Sequence, residues 1–393
     1  MTDANGDLAL VLGGGGARAA YQVGFLRALG RMFPELEVPI LTGVSAGAIS
    51  AAYLANHPGA FGAASEDLAR IWESLTVDTV FRSDSTSLLS HAMRWGLRLI
   101  SGGKKIGQPA RGMVDTQPLR QFLHEVLHSA DGKLTVANEK LASGRLRSLG
   151  ITTTKYATNQ SITWVQGKAG SDWARSNRRS VRAEITVEHV MGSCALPLFF
   201  PAVQINGEWH GDGGIRLTAP LAPALHLGAG RLIAISTRYQ KTQIEADRPA
   251  NEGYPPPATV LGVMLSAIFL DMLDYDAMNL QRLNELLESL PEEKRLGLRT
   301  AGLLLLRPSQ DIGKLATVYE PSLPGLFRFL TRGMGTRETK SPDSLSMVLF
   351  EPEYLRRLIE IGEADAIQRR EEITAFVAGE KRPSLSQTGF WRI

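Results

Sequence analysis

Three stretches of this chain hold residue types that could carry out acyl-transfer chemistry. Gly43-Val44-Ser45-Ala46-Gly47 has the G-x-S-x-G spacing of a nucleophile elbow, whose glycines let the backbone turn sharply enough to push a serine hydroxyl out between a strand and a helix. The spacing arises by chance often enough to mean little alone. An apolar run before it and a helical run after it supply the confirming context, and a helix N-terminus behind Ser45 favours negative charge nearby. Gly13-Gly14-Gly15-Gly16 offers backbone N–H groups with no side chains in the way, which suits a phosphate or a tetrahedral oxyanion. No Gly-Lys-Ser/Thr follows, so a P-loop is excluded, and Arg18 stands where a dinucleotide fingerprint needs its third glycine. A tight turn that packs strand against helix is the competing reading. Asp212-Gly213-Gly214 is by itself a turn, and gains meaning only as a partner for Ser45.

An activated serine needs a base. If Asp212 is the acid of a Ser-Asp-His series, His226 is the only histidine left to follow it. The other option is a carboxylate acting directly on the serine in a site that excludes water. The residue order leaves both open.

The elements that must position these groups are legible in outline. Leu8 to Leu12 reads as a buried strand leading through the glycines into a helix from Ala17 to about Met32. Pro39-Ile40-Leu41 is a second strand, followed by an Ala-rich helix from Ala46 to about Ala55. Strand, glycine turn and helix repeated twice opens a parallel α/β layer. Leu149–Thr154 and Ser161–Val165 predict a hairpin across Thr158-Asn159-Gln160, and Val203–Ile205 and Leu232–Ser236 predict further strands. After Pro255-Pro256-Pro257 helical patterns dominate, from Ala258 to Leu290 and from Glu353 to Val377; the last dozen residues read as a loose tail.

With 393 residues, 44 % hydrophobic and 21 % charged, the chain has globular composition and room for two domains. A single cysteine, Cys194, excludes an intrachain disulfide and a thiolate metal cluster. The polar, acidic start is unlike a secretory signal. The apolar stretch from Val260 breaks at Asp271, short of a membrane span, so a soluble, cytoplasmic protein is the expectation. Net charge is only +3, but residues 91–182 hold 16 basic against 5 acidic side chains. Such a zone could face an anionic membrane surface, nucleic acid or an acidic substrate, or be a solvated face.

Taken together, the blocks resemble those of the patatin-like phospholipases over about residues 7–240. Gly14-Gly15-Gly16-Ala17-Arg18 resembles the family's oxyanion block, Gly43 to Gly47 its nucleophile block and Asp212-Gly213-Gly214 its Asp-Gly-Gly block. Ser193-Cys194-Ala195-Leu196-Pro197-Leu198-Phe199-Phe200-Pro201 resembles its Ala-Ser-x-Ala-x-Pro-x-x-Phe-Pro block. Ala19 replaces the usual glycine after the first block, and Leu217-Thr218 the usual asparagine after Asp-Gly-Gly. The resemblance implies a three-layer α/β/α catalytic domain over 7–240 and a mainly helical C-terminal region over 241–393. It implies a Ser-Asp dyad of Ser45 and Asp212, with oxyanion or substrate-binding roles for Gly14, Gly15, Gly16, Arg18 and Ala46, and no metal or other cofactor.

The expected activity is a lipid acyl hydrolase of the phospholipase A or lysophospholipase type, with a phospholipid or other acyl-ester lipid as substrate and no nucleic-acid partner. The alternatives are an acyltransferase or small-ester esterase with the same dyad, or a weakly catalytic, membrane-recruited regulatory protein. Leu88 to Lys105 alternates an apolar stripe with His91, Arg94 and Arg98, and Lys104-Lys105 follow, so it reads as an interfacial helix touching an anionic membrane or as an ordinary surface helix. Leu261, Met264, Leu265, Ile268 and Phe269 are expected in the core or at an interface between subunits of a homo-oligomer.

Overall fold

The computed structural model describes residues 7–82, 93, 112–129, 131–168, 172–247, 253–333, 335–336 and 343–380. Its strands are β1 (Asp7–Leu12), β2 (Ile40–Val44), β3 (Ser148–Lys155), β4 (Gln160–Gly167), β5 (Arg178–Arg182), β6 (Val203–Ile205), β7 (Glu208–Asp212), β8 (Ala229–Ile235) and β9 (Gly302–Leu306). They form one mixed sheet in the order β5-β4-β3-β2-β1-β8-β9, with β7 pairing β3 and β6 pairing β7. The centre is parallel, β2-β1-β8-β9 with β3 beside β2. The expected hairpin is the antiparallel pair β3/β4.

Both faces of this sheet are covered, which explains why its central strands read as mainly apolar runs and not as alternating patterns. Leu8, Leu10 and Leu12 of β1 point into one core with Ile233 and Ile235 of β8 and Leu304 and Leu306 of β9. Ala9 and Val11 point into the other with Leu232, Ala234, Leu303 and Leu305. The helices that matter to the site are α1 (Ala19–Met32), α2 (Ala46–Asn56), α3 (Phe61–Glu73), α4 (Val187–Ser193), α5 (Pro257–Phe269), α6 (Met272–Ser289), α7 (Asp343–Val348) and α8 (Pro352–Gln368). The first core lies under α1, α2, α3 and α8, and the second under α6 and the short helix Ala222–His226. The result is an α/β/α sandwich.

The chain beyond residue 240 is mainly helical, yet β9 pairs in parallel with β8 as the outer strand of the same sheet. Helix α8 packs on α1 so closely that a side chain at Gly24 would strike the Ile359 carbonyl, and one at Gly362 the Tyr21 carbonyl. The boundary expected at 240 therefore runs between two paired strands.

Helix α5 is covered on few of its positions. Only Ala258 and Gly262 of it are buried, whereas Leu261 and Met264, expected in the core or at an interface between subunits, are exposed in the single chain. The helix touches the body through these two small residues and its C-terminal end, while its neighbour α6 buries Leu273, Ala277, Leu280 and Leu287. Within the basic zone, Arg120, Lys133, Arg147, Lys155 and Arg182 pair with Glu188, Glu184, Asp7, Glu208 and Asp172. Apart from Met93, the stretch Leu88 to Lys105 lies outside the described residues, as does the expected loose tail.

Candidate active site

Ser45 stands between β2 and α2 with φ 55° and ψ −132°, a conformation disfavoured for any side chain larger than glycine's hydrogen. Its neighbours hold it there. The Ser45 N–H donates to Ser193 Oγ at 3.0 Å, and that hydroxyl donates to the Thr152 carbonyl at 2.6 Å. The Ser45 carbonyl accepts from Ala48 N–H at 2.9 Å and from the Cys194 thiol at 3.0 Å. Burial and the nearby Asp212 charge push the Cys194 thiol up, so it stays protonated and acts as a donor. The glycines of the elbow are needed for close approach: a side chain at Gly47 would strike the Leu12 carbonyl, and one at Gly43 would lie 2.6 Å from the Gly47 carbonyl.

Strand β3 brings Asp212 to this elbow. Its residues 148–152 pair in parallel with β2, ending with Val44 opposite Thr152. Its next residues pair antiparallel with β7, beginning with Asp212 opposite Thr153. Since β4 occupies the other edge of β3 along its whole length, β2 and β7 follow one another on the same edge. Their C-terminal ends therefore meet tip to tip, and the residues that follow them are Ser45 and Gly213.

The Asp212 carboxylate is fully buried. One oxygen accepts the Gly214 N–H at 2.8 Å. The other has no well-aligned hydrogen bond, although the Ser45 hydroxyl is close enough to favour the charged form. A loose contact of this kind is usual before substrate binds. Burial pushes the Asp212 pKa up to about 7, against the opposing pull of the Ser45 hydroxyl and the Gly214 N–H. The backbone of Asp212 is fixed as well, its carbonyl by Thr154 Oγ1 at 2.8 Å and its N–H by the Ala195 carbonyl at 2.9 Å.

No described histidine hydrogen bond reaches Ser45 or Asp212. His226 packs edge-on against Trp173, with ring centroids 4.7 Å apart, and lines neither pocket beside the elbow. His210 bonds Thr153 Oγ1 at 3.0 Å, and burial lowers its pKa to about 4. Among the described residues no cluster of His, Cys, Asp or Glu could hold a metal ion.

The glycine loop lies beside the nucleophile. Thr237 Oγ1 bonds the Gly14 carbonyl at 3.2 Å, and Gln22 Nε2 bonds the Gly13 carbonyl at 3.2 Å. Gly15 at φ 138° and Gly16 at φ 56° need the freedom of glycine. Among the described hydrogen bonds none has the N–H of Gly14, Gly15, Gly16 or Ala46 as donor, leaving donors beside Ser45 that could meet a developing oxyanion. Arg18, expected with the oxyanion or substrate group, ends this loop. Its N–H closes the loop on the Gly15 carbonyl at 3.2 Å, but its buried guanidinium is held by Asp343 and by Ser346 Oγ at 2.6 Å. Asp343 also accepts from Ser266 Oγ of α5 at 3.0 Å. The side chain thus ties the loop to α5 and α7.

Gly15, Gly16, Ser45 and Ala46 open onto an apolar cleft walled by side chains that include Trp72, Phe122, Phe200 and Phe350. Phe269, the last residue of α5, also lines it, and its ring would lie 3.7 Å from a side chain at Gly14 and 2.5 Å from one at Gly214. Ser193, Asp343 and Phe269 have site positions that sequence reasoning did not assign. Ser193 stood in a quoted block without a role, and nothing in the order of residues distinguished the other two.

These contacts separate two effects along the glycine loop. A Cβ at Gly14 would sit 3.0 Å from Ser45 Cβ and 3.6 Å from its Oγ. Gly14→Ala is expected to leave thermal stability nearly unchanged and to lower kcat/KM on a soluble ester by roughly 10²-fold, through displacement of the reacting carbonyl. Gly16→Ala would press on the Met347 carbonyl at an unfavourable φ, and is expected to lower the melting temperature as well.

The patatin-like phospholipase family description matches residues 10–225, more than half of the chain. No curated protein matches. Similar solved structures include VipD from Legionella pneumophila, at 12 % identity and TM-score 0.40, covering 96 % of this chain and 67 % of that one. Human GIVD cytosolic phospholipase A2 is 13 % identical with TM-score 0.47, covering 95 % and 60 %. The ExoU-SpcU complex of Pseudomonas aeruginosa is 16 % identical with TM-score 0.27, covering 95 % and 59 %. The chain thus spans 59–67 % of the length of these structures. On the family match across the glycine loop, the elbow and Asp212, this chain belongs to the patatin-like phospholipases, a family of lipid ester hydrolases.

Proposed function

We propose that this protein hydrolyses acyl esters of phospholipids or lysophospholipids with Ser45 as nucleophile and Asp212 as general base. The observation that carries the reading is the buried Asp212 carboxyl beside the Ser45 hydroxyl, its pKa pushed up to about 7 by burial, with no described histidine hydrogen-bonded to either residue. A base poised near the working pH has a large fraction in the reactive form and still holds a proton well. Ser45 Oγ bonds to the ester carbonyl carbon while its proton passes to the free oxygen of Asp212. The N–H groups of Gly14, Gly15, Gly16 and Ala46 stabilise the oxyanion. The carbon–oxygen bond to the alcohol breaks as Asp212 returns the proton to the leaving oxygen. Water then attacks the acyl-enzyme, giving its proton to Asp212, and the fatty acid leaves as Ser45 recovers its own. The apolar cleft takes the acyl chain and keeps bulk water from the intermediate.

Incubation of the pure protein with a mixed phospholipid extract, followed by lipid mass spectrometry, should show free fatty acid and the matching lysophospholipid or glycerophospho-alcohol. Both should vanish with Ser45→Ala. The reading fails if no lipid is consumed, or if the variant releases the same products at the same rate.

A further inference from the structure

Helix α5 has the sequence PATVLGVMLSAIF, with no charged residue. Its polar groups are turned inward: Ser266 donates to Asp343, and the Thr259 hydroxyl is buried. The outer face is hydrocarbon, with Val260, Val263 and Met264 exposed at 48 %, 66 % and 56 %. Tyr254, three residues before the helix, is exposed as well. The other end of the helix inserts Phe269 into the cleft beside Ser45. A second set of apolar side chains stands out near another wall of that cleft. Leu198, held at φ 66°, is 71 % exposed, and Met113, whose N–H donates to the Leu198 and Phe199 carbonyls, is exposed beside it. A leucine kept in the left-handed region and in water stores strain for no packing return.

We propose that the outer face of α5 is the surface by which this protein docks on a lipid bilayer, with the helix lying in the plane of the interface and its Phe269 end leading to the Ser45 cleft. The proposal rests on the lipid-hydrolase reading for its substrate, though not for its measurement. Two features favour a lipid surface over a protein. Apart from Met264 the exposed helical positions Val260, Leu261 and Val263 are aliphatic, without the arginine or aromatic anchors that a protein interface concentrates. The helix that carries the face also ends at Phe269 in the wall of the Ser45 cleft, so a bilayer seated on it lies at the end of the helix that meets the site where acyl chains are consumed.

The helix lies on the membrane and does not cross it. Residues 257–289 are together long and apolar enough to span a bilayer by length and composition. Yet α5 has 13 residues, about 20 Å, against a hydrocarbon core of about 30 Å. The helix breaks at Asp271, and α6 turns its apolar side to the sheet. An uncharged contact face implies that binding needs no anionic lipid and resists salt.

The test is co-sedimentation of the full chain with phosphatidylcholine vesicles, comparing wild type with the double variant Val263→Gln, Met264→Gln. Both side chains are exposed, and hydrolysis of a soluble short-chain ester checks that the fold and cleft are intact. The variant should bind at least roughly tenfold more weakly, as expected when two aliphatic side chains are withdrawn from hydrocarbon. It should lose vesicle hydrolysis to match and keep its soluble-ester rate. Wild-type binding should change little when salt rises from 0.1 to about 1 M. Unchanged vesicle binding by the variant overturns the proposal, as does an equal loss on both substrates. It is also overturned if the wild type sediments as a dimer that the variant dissolves, since the face then belongs to a second copy. Binding is read without turnover. Failure of the hydrolase reading with α5-dependent binding intact therefore leaves the docking surface standing.

Discussion

Asp212→Asn should lower turnover of a soluble ester by roughly 10²–10⁴-fold, the contribution of a positioned acid–base group, and should raise stability above neutral pH. The two effects have one cause. Burial of the carboxyl raises its pKa to about 7, far above the 3.8 of an exposed aspartate. Between about pH 4 and pH 7 the folded state therefore binds more protons than the unfolded one, and stability falls as pH rises through that window. Above about pH 7 the full penalty of a buried charge is present, up to roughly 4 kcal/mol. Asparagine keeps the acceptor for the Gly214 N–H and removes the charge, so the variant should melt higher than wild type at pH 8 and at a similar temperature near pH 4. Wild-type kcat/KM should rise about tenfold per pH unit below 7 and level off above it. His226→Ala should keep most activity, since His226 packs on Trp173. A wild-type pH profile flat from pH 5 to 9, or an equal collapse in a folded His226→Ala protein, would remove Asp212 from its role.

Ser45 offers the other large effect. Ser45→Ala and Ser45→Gly should both lower ester hydrolysis by on the order of 10⁴–10⁶-fold and abolish labelling by a fluorophosphonate probe. They should differ in stability. Alanine keeps the Cβ that makes φ 55° costly, whereas glycine removes it. Ser45→Gly should therefore melt above Ser45→Ala, by about 1 kcal/mol once the greater freedom of unfolded glycine is deducted. Equal stabilities would mean that the elbow stores no strain, and persistent labelling of either variant would place the nucleophile elsewhere.

Much of the local structure was legible because it is written in consecutive residues. The run Leu8–Leu12 followed by glycines predicts a buried strand, a turn and a helix, and β1 and α1 are there. The spacing around Ser45 predicts a turn between strand and helix, and its glycines are where a side chain would strike the backbone. Asn206-Gly207 marks the turn between β6 and β7, with φ of 51° and 81°. Each of these follows from steric rules that operate within a few residues of chain.

The composition of α5 predicts only that it is apolar, and the same pattern suits a core helix and an exposed one. Which of the two it is depends on what the sheet and α6 leave uncovered, a matter of tertiary packing. The partner of Arg18 was equally hidden, since Asp343 lies 325 residues further on. The choice between a dyad and a triad was open for the same reason. Residue order allowed His226 to follow Asp212, but the short helix that carries it packs with Trp173 instead.

By itself, then, the sequence determined the α/β layering, the elbow at Ser45, the glycine loop and the candidacy of Asp212. Each depends on local backbone geometry or on an apolar period short enough to read directly. Only the tertiary structure decided that β2 and β7 share one edge of β3, which sets Ser45 and Asp212 face to face although they stand 167 positions apart in the chain. Strand register and edge sharing are set by pairing energies between segments distant in sequence, and those energies appear only once the sheet is assembled.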